Sequence, residues 1–128
     1  MYHEVRRGTV SRGTGAKKVP YRDKILAHYG SDRIYTKLSD KEQREVKRTK
    51  GGSTKVKVKK AKYVNLAIAP GKVVKAEIQS VVKSNTDNET RANIITKGTI
   101  ISVKDYGNAI VTSRPNQYGV INAKLYKA

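Results

Sequence analysis

The sequence predicts an all-β fold: a small closed or partly open β-barrel of about six or seven short strands, with a basic, largely non-globular N-terminal extension. Three observations predict it. Short runs rich in Val and Ile recur at roughly 8–12-residue spacing between turn signals, as in a barrel or sandwich. Closure suits so small a chain because it removes open edges. Hydrophobic content is 37%, with eight Tyr but no Phe and no Trp. The core must therefore be small, aliphatic and confined to part of the chain. Finally, the net charge is +18 on 128 residues, and the excess is uneven. Residues 1–62 hold 19 basic and 6 acidic side chains, and residues 63–128 hold 9 and 4. A chain so basic repels itself and is stabilised beside a polyanion. Nucleic acid is the commonest polyanion, and counterion release then supplies affinity.

Residues 1–38 read as the extension and 39–128 as the barrel domain. Arg6, Arg7, Arg12, Lys17, Lys18, Arg22 and Lys24 are interspersed with Gly8, Gly13 and Gly15, and few large apolar residues precede Ile25-Leu26. Such a segment cannot offset its ordering entropy by burial. It reads as an arm that orders on RNA, its glycines letting backbone approach phosphates. Residues 21–35 have room for one or two helical turns. Ser39-Asp40-Lys41-Glu42 matches a capping box, which admits a short helix over 39–45.

From Glu45 the period changes to two. Val46-Lys47-Arg48-Thr49 and Thr54-Lys55-Val56-Lys57-Val58-Lys59 flank Lys50-Gly51-Gly52-Ser53, a hairpin signal. Val56 and Val58 then share one face and Lys55, Lys57 and Lys59 the other. Those lysines stand about 7 Å apart, close to the phosphate spacing of one nucleic-acid strand. Residues 63–68 alternate, with Tyr63, Asn65 and Ala67 on one side, and Pro70-Gly71 turns the chain. Residues 73–82 read as a strand with Val74, Ala76, Ile78 and Val81 inward, which requires a bulge near Ser80. Residues 85–88 read as a loop. Strand runs at 93–96 and 99–103 flank Lys97-Gly98. Residues 105–108 turn into a strand at 109–112, 114–119 form another turn, and 120–125 the last strand. Val56, Val58, Ile78, Ile95, Ile100, Val111 and Ile121 are the expected core.

Two stretches carry a resemblance. Asn93-Ile94-Ile95-Thr96-Lys97-Gly98-Thr99-Ile100-Ile101 and Val111-Thr112-Ser113-Arg114-Pro115-Asn116-Gln117-Tyr118-Gly119-Val120-Ile121-Asn122-Ala123 resemble signatures of the archaeal and eukaryotic small-subunit ribosomal protein family S8e. The Gly51-Gly52 hairpin looks like that family's strand–Gly-Gly–strand, the short length is similar to archaeal members, and the likeness runs through residues 8–125 in order. It implies a β-barrel with an RNA-bound extension, cytoplasmic in the 30S or 40S subunit, with small-subunit rRNA and neighbouring ribosomal proteins as partners. It implies no cofactor, metal, membrane or small-molecule substrate. Ala16 stands where the family usually has glycine. Asp23, Ile25 and Leu26 stand where more basic residues are typical, leaving Ile25 and Leu26 to touch the barrel or a neighbouring protein. On charge and resemblance together, the expected RNA-binding residues are Arg6, Arg7, Arg12, Lys17, Lys18, Arg22, Lys24, Lys47, Arg48, Lys50, Lys55, Lys57, Lys59, Lys60, Lys97 and Arg114.

Other classes fit less well. The two histidines, His3 and His28, lack metal-ligand spacing, and the absence of cysteine excludes thiolate chemistry and Cys-based zinc sites. The Gly8–Lys17 stretch fails the phosphate-loop pattern because Gly13 is followed by Thr14. Asp87 and Glu89 read as a solvated loop and the Asn88-Glu89-Thr90 sequon as chance. No apolar run follows Arg6-Arg7, so no signal peptide is expected, and no run approaches the ~18 apolar residues of a membrane span. The alternative is a free RNA-binding β-barrel or ribosome assembly factor, which would stack bases on surface aromatics; no clustered aromatic face is visible in the strands.

Overall fold

The structure is a computed structural model describing residues 13–16, 26, 29–30, 32–49 and 51–126. The chain divides into two units, Met1–Arg33 and Ile34–Ala128. Most of the first lies outside the described residues, including Arg6, Arg7, Arg12, Lys17, Lys18, Arg22 and Lys24; so does Lys50. Within 21–35, the Tyr29 N–H donates to the Leu26 carbonyl at 3.0 Å.

The second unit is built from strands. A three-stranded sheet has the order β1-β3-β2, from β1 (Lys37–Leu38), β2 (Gln43–Arg48) and β3 (Thr54–Ala61). A closed barrel has the order β4-β5-β6-β7-β8, from β4 (Tyr63–Ala69), β5 (Lys72–Lys83), β6 (Ile100–Val103), β7 (Gly107–Val111) and β8 (Asn122–Leu125). Two short helices interrupt the strands, α1 (Asp87–Arg91) and α2 (Pro115–Tyr118). β4 pairs antiparallel with β5 and parallel with β8, and the parallel pairing closes the barrel. Residues 34–38 belong to this unit: Thr36 is fully buried and β1 pairs with β3.

The Gly-Gly hairpin forms as its pattern predicts. Val46 faces Val56 and Lys47 faces Lys55 across the ladder. The turn closes through Thr49, whose N–H and hydroxyl both donate to the Ser53 carbonyl, at 2.7 and 2.9 Å. Gly51 and Gly52 take φ of +86° and +84°, the left-handed region that side chains avoid. The short helix admitted over 39–45 does not form. The strong period-two pattern of 43–48 finds a partner in β3, and pairing overrides the local capping signal.

A bulge on β3 resets its register, since Gln43 faces Lys60 while the next residue, Arg44, faces Val58. The extra residue carries Val58 and Ala61 inward and leaves Lys59 and Lys60 on the outer side. The bulge expected near Ser80 is present, with register shifts at Ile78/Ser80 and Val81/Lys83, and Ala76, Ile78 and Val81 are buried. Bulges bend a strand, which suits β5: its first half pairs with β4 and its second with β6.

The loop expected at 85–88 contains the start of a helix. The Thr86 side chain accepts from the Glu89 N–H at 3.3 Å, with Asp87 and Glu89 in the first turn and Arg91 in the last. That is a capped, dipole-matched turn. The run 93–96 is no regular strand. Asn93 takes φ +52°, Ile94 makes one isolated bridge to Lys37, and the Ile95 N–H donates to the Thr36 carbonyl at 2.8 Å. The turn expected at 114–119 is largely α2, with Pro115 opening it and Gly119 closing it in the left-handed conformation.

The core joins Val58, Leu66, Ile78, Ile95, Ile101, Val103, Val111 and Ile121, among others. Two expected members fall outside it. Val56 is 37% exposed because the hairpin runs beyond the part of β3 that covers the barrel. Ile100 is only half-buried, and Ile101 takes the inward position. The inward row of β6 lies one residue from the expected one, and a slip of one residue exchanges faces. At one end of the barrel the buried Ser84 and Thr99 hydroxyls lie 3.1 Å apart, and the Ser84 hydroxyl donates to Glu89 Oε2 at 3.2 Å. Among the described residues, no buried side-chain polar atom lacks a hydrogen-bond partner, as stability requires.

Candidate nucleic-acid interface

The alternation of β2 and β3 places Lys47, Lys55, Lys57 and Lys59 on one face of the hairpin, opposite Val46, Val56 and Val58. Both rows of this face come from adjacent strands, so the positive charge forms a patch two residues wide. The patch is not purely cationic. Glu45 lies directly across from Lys57. Lys59 Nζ stands 2.7 Å from Glu45 Oε2, and Lys47 Nζ 3.3 Å from Glu45 Oε1. The Lys59 hydrogen bond, joined by that of Lys47, holds the Glu45 carboxyl below its ordinary range, so it stays ionised at neutral pH.

Beyond its short pairing with β1 at Lys60 and Ala61, β3 meets α2. Gln117 Oε1 accepts from Lys55 Nζ at 3.2 Å. The Thr36 hydroxyl donates to the Val58 carbonyl at 2.7 Å and lies 3.2 Å from Asn116 Oδ1. The Asn116 amide in turn donates to the Ile34 carbonyl. One short helix thus ties together the lysine strand and the segment following Arg33. Proline fixes φ at the helix's first position, and Gly119 reverses the chain where it meets Val56.

The remaining cations expected to contact RNA are scattered. Arg48 is exposed on the hairpin's other face, alternating with Lys47. Lys60 is exposed beside the bulge, Lys97 on the turn before β6, and Arg114 at the N-cap of α2. The hairpin therefore brings together Lys47, Lys55, Lys57 and Lys59, while Lys97 and Arg114 occupy separate turns. Sequence reasoning missed Glu45, Asn116 and Gln117 as members of this surface. Glu45 was detectable, because it stands two residues from Lys47 in the same period-two run. Asn116 and Gln117 were not, because nothing local indicates that 114–119 packs beside β3.

Away from the hairpin, Lys62 pairs with Glu77 at 2.9 Å. Their hydrogen bond and mutual charge push the lysine up and the carboxylate down. Lys75 Nζ sits 4.4 Å from the Tyr63 ring centroid, within cation–π range. Of the exposed tyrosines among the described residues, Tyr63 lies on β4 and Tyr118 on α2, while Tyr29, Tyr35, Tyr106 and Tyr126 lie outside the strands and helices. Among the described residues, no group of three or more His, Asp or Glu could hold a metal ion.

Fold and surface define a small, strongly basic β-barrel protein carrying a lysine-faced hairpin. Comparison with known proteins makes this specific. The model of the family described as ribosomal protein S8e matches residues 6–126, and the chain belongs to that family. It is 45% identical over 116 residues to the small ribosomal subunit protein eS8 of Sulfurisphaera tokodaii, covering 89% of this chain and 90% of that one. It is 40% identical over 114 residues to eS8 of Staphylothermus marinus, covering 88% of each. With eS8 of Pyrobaculum aerophilum it shares 39% over 121 residues, 92% of each.

Proposed function

We propose that this chain is a structural constituent of the small (30S) ribosomal subunit, cytoplasmic, and that it binds small-subunit rRNA beside neighbouring ribosomal proteins. Phosphate contacts come from the basic N-terminal segment and from the lysine face of the hairpin. The observation that carries the RNA-binding part is that face, with Lys47, Lys55, Lys57 and Lys59 on two paired strands in a protein of net charge +18. Recognition of this kind works through phosphates and RNA shape. The subunit assignment rests on family membership and on the names of the relatives.

A tagged chain should sediment with small subunits on a gradient. A peak confined to free protein would favour the free RNA-binding or assembly-factor reading. Within the face, replacing Lys55, Lys57 and Lys59 together by Gln should weaken binding to small-subunit rRNA. The slope of log affinity against log salt should flatten by about 2 units, at ~0.7–0.9 per lost contact. The thermal melt should move little, because Lys55 is exposed and Lys57 and Lys59, though half-buried, lie outside the hydrophobic core. An unchanged slope would mean that these lysines only face solvent.

We place the end of the extension at Arg33, since the second unit begins at Ile34. Deleting residues 1–33 should leave a cooperative melt near the full-length value while subunit incorporation falls sharply. A truncated chain that does not fold would make the segment part of the core. One that incorporates normally would leave binding to the hairpin and barrel alone.

A further inference from the structure

Glu45 occupies an unexpected place for an acid, since it lies among four lysines on a face that the proposed function turns toward phosphate. Each of its carboxylate oxygens meets a different lysine, Lys59 at 2.7 Å and Lys47 at 3.3 Å, and Lys57 is its cross-strand partner. The paired side chains are about one-quarter to two-fifths exposed, and ion pairs so open to solvent add little to stability. β2 is an edge strand, and edges are guarded by charge; an acid also avoids the like-charge pair that a lysine would make with Lys57 directly opposite. Cross-strand pairing with Lys57 is thus one role of an acid here. Toward a polyanion, however, a carboxylate offers lysines the same paired acceptor oxygens as a phosphate.

We propose that Glu45 is a specificity-determining residue: it substitutes for phosphate at Lys47 and Lys59 and so lowers the affinity of this face for RNA that does not belong there. The inference rests on the reading that the lysine face meets rRNA phosphates. Sequence-independent affinity scales with the number of cations free to release counterions from the nucleic acid. With Glu45 ionised, Lys47 and Lys59 share its one negative charge, so the three side chains together present a single net positive charge. An arbitrary single strand then engages mainly Lys55 and Lys57, and its phosphates are repelled by the carboxylate. RNA whose shape holds phosphates firmly over the hairpin, supported by contacts elsewhere on the protein, can displace Glu45 from its lysines. Discrimination of this sort works by penalising the wrong partner rather than by favouring the right one.

The test compares full-length wild type, Glu45→Gln and Lys57→Gln for binding to poly(U) and to small-subunit rRNA across a salt series. Glu45→Gln should tighten poly(U) binding by about tenfold and steepen its salt slope by ~0.7, for the one negative charge removed. Affinity for small-subunit rRNA should rise by about threefold or less, so that the preference for it falls. Melting curves establish that each variant is folded. Equal gains on both RNAs, no gain, or weaker binding by Glu45→Gln would overturn the inference. Lys57→Gln separates the two levels of failure. If it weakens rRNA binding while Glu45→Gln leaves the preference unchanged, the face binds RNA and Glu45 does not select. If both variants leave both RNAs unaffected, the phosphate reading of the face fails and the inference falls with it.

Discussion

Ile101→Ala should lower the unfolding free energy by about 2–5 kcal/mol, whereas Ile100→Ala should cost clearly less. The two residues are adjacent in β6 and chemically identical, so the contrast isolates burial. Ile101 is completely inaccessible and faces Val81 and Ala109 across its two ladders. Its neighbours belong to the continuous cluster that fills the barrel. Removing its outer carbons leaves a cavity that a closed barrel is poorly placed to collapse, because both flanking strands are fixed by their own pairing. Ile100 pairs with Ile110 and Lys83, and both Ile100 and Ile110 are only half-buried; truncation there removes surface that water already reaches. Urea unfolding of the two variants decides the matter. Equal losses, or the larger loss at Ile100, would place the inward face of β6 on the other row.

That one-residue slip shows how much of a strand's register turns on a single polar position. Alternation made the hairpin readable, because Val56, Val58 and the intervening lysines differ in polarity at every step. In 99–103 the run Thr-Ile-Ile-Ser-Val puts Ile100 on one face with Ser102 and Ile101 on the other with Val103, so alternation favours Ile101 inward, whereas centring on the apolar pair alone selects Ile100. In β5 the apolar spacing itself required a bulge, and the bulge is there. The bulge in β3 was hidden, since Lys59-Lys60 looks the same on a solvent face in either register.

The pattern Ser/Thr-x-x-Glu occurs twice, at Ser39–Glu42 and Thr86–Glu89, and only the second caps a helix. The difference is not in the caps. After Glu42 comes a segment that completes a sheet with β3. Residues 87–91 have no apolar alternation to offer a strand. The lysine face could be read from the sequence for the same reason as the hairpin. Its flank could not: α2 meets β3 roughly sixty residues away in sequence, as the Lys55–Gln117 hydrogen bond shows, and that closeness comes from barrel closure.

Gly119→Ala should be among the most damaging single substitutions outside the barrel interior. Gly119 is buried at the end of α2 with φ +71° and ψ 10°, and its N–H donates to the Pro115 carbonyl at 3.2 Å. An added Cβ would lie 2.9 Å from both Cβ and Cγ1 of Val56 and 3.2 Å from the Val56 carbonyl oxygen. Two costs combine. The left-handed backbone costs about 1–2 kcal/mol for a residue with a side chain. Forcing extra volume against a neighbouring strand adds about 1–3 kcal/mol. The clash cannot be relieved by rotating Val56 alone, because Val56 Cβ and its carbonyl are fixed to β3. Either α2 or the hairpin must move, and α2 also holds Lys55 through Gln117 and the Ile34–Thr36 segment through Asn116. Gly71→Ala is the control. Gly71 has φ +77° with nothing within 4 Å of an added Cβ, so it carries the backbone cost alone. Thermal and urea unfolding should therefore rank Gly119→Ala well below Gly71→Ala. Adding Val56→Ala should recover part of the Gly119→Ala loss, as expected for residues in direct contact. A Gly119→Ala loss no larger than that of Gly71→Ala would mean that the backbone conformation, and not the approach to Val56, is what requires glycine at the junction of α2 with the lysine-bearing strand.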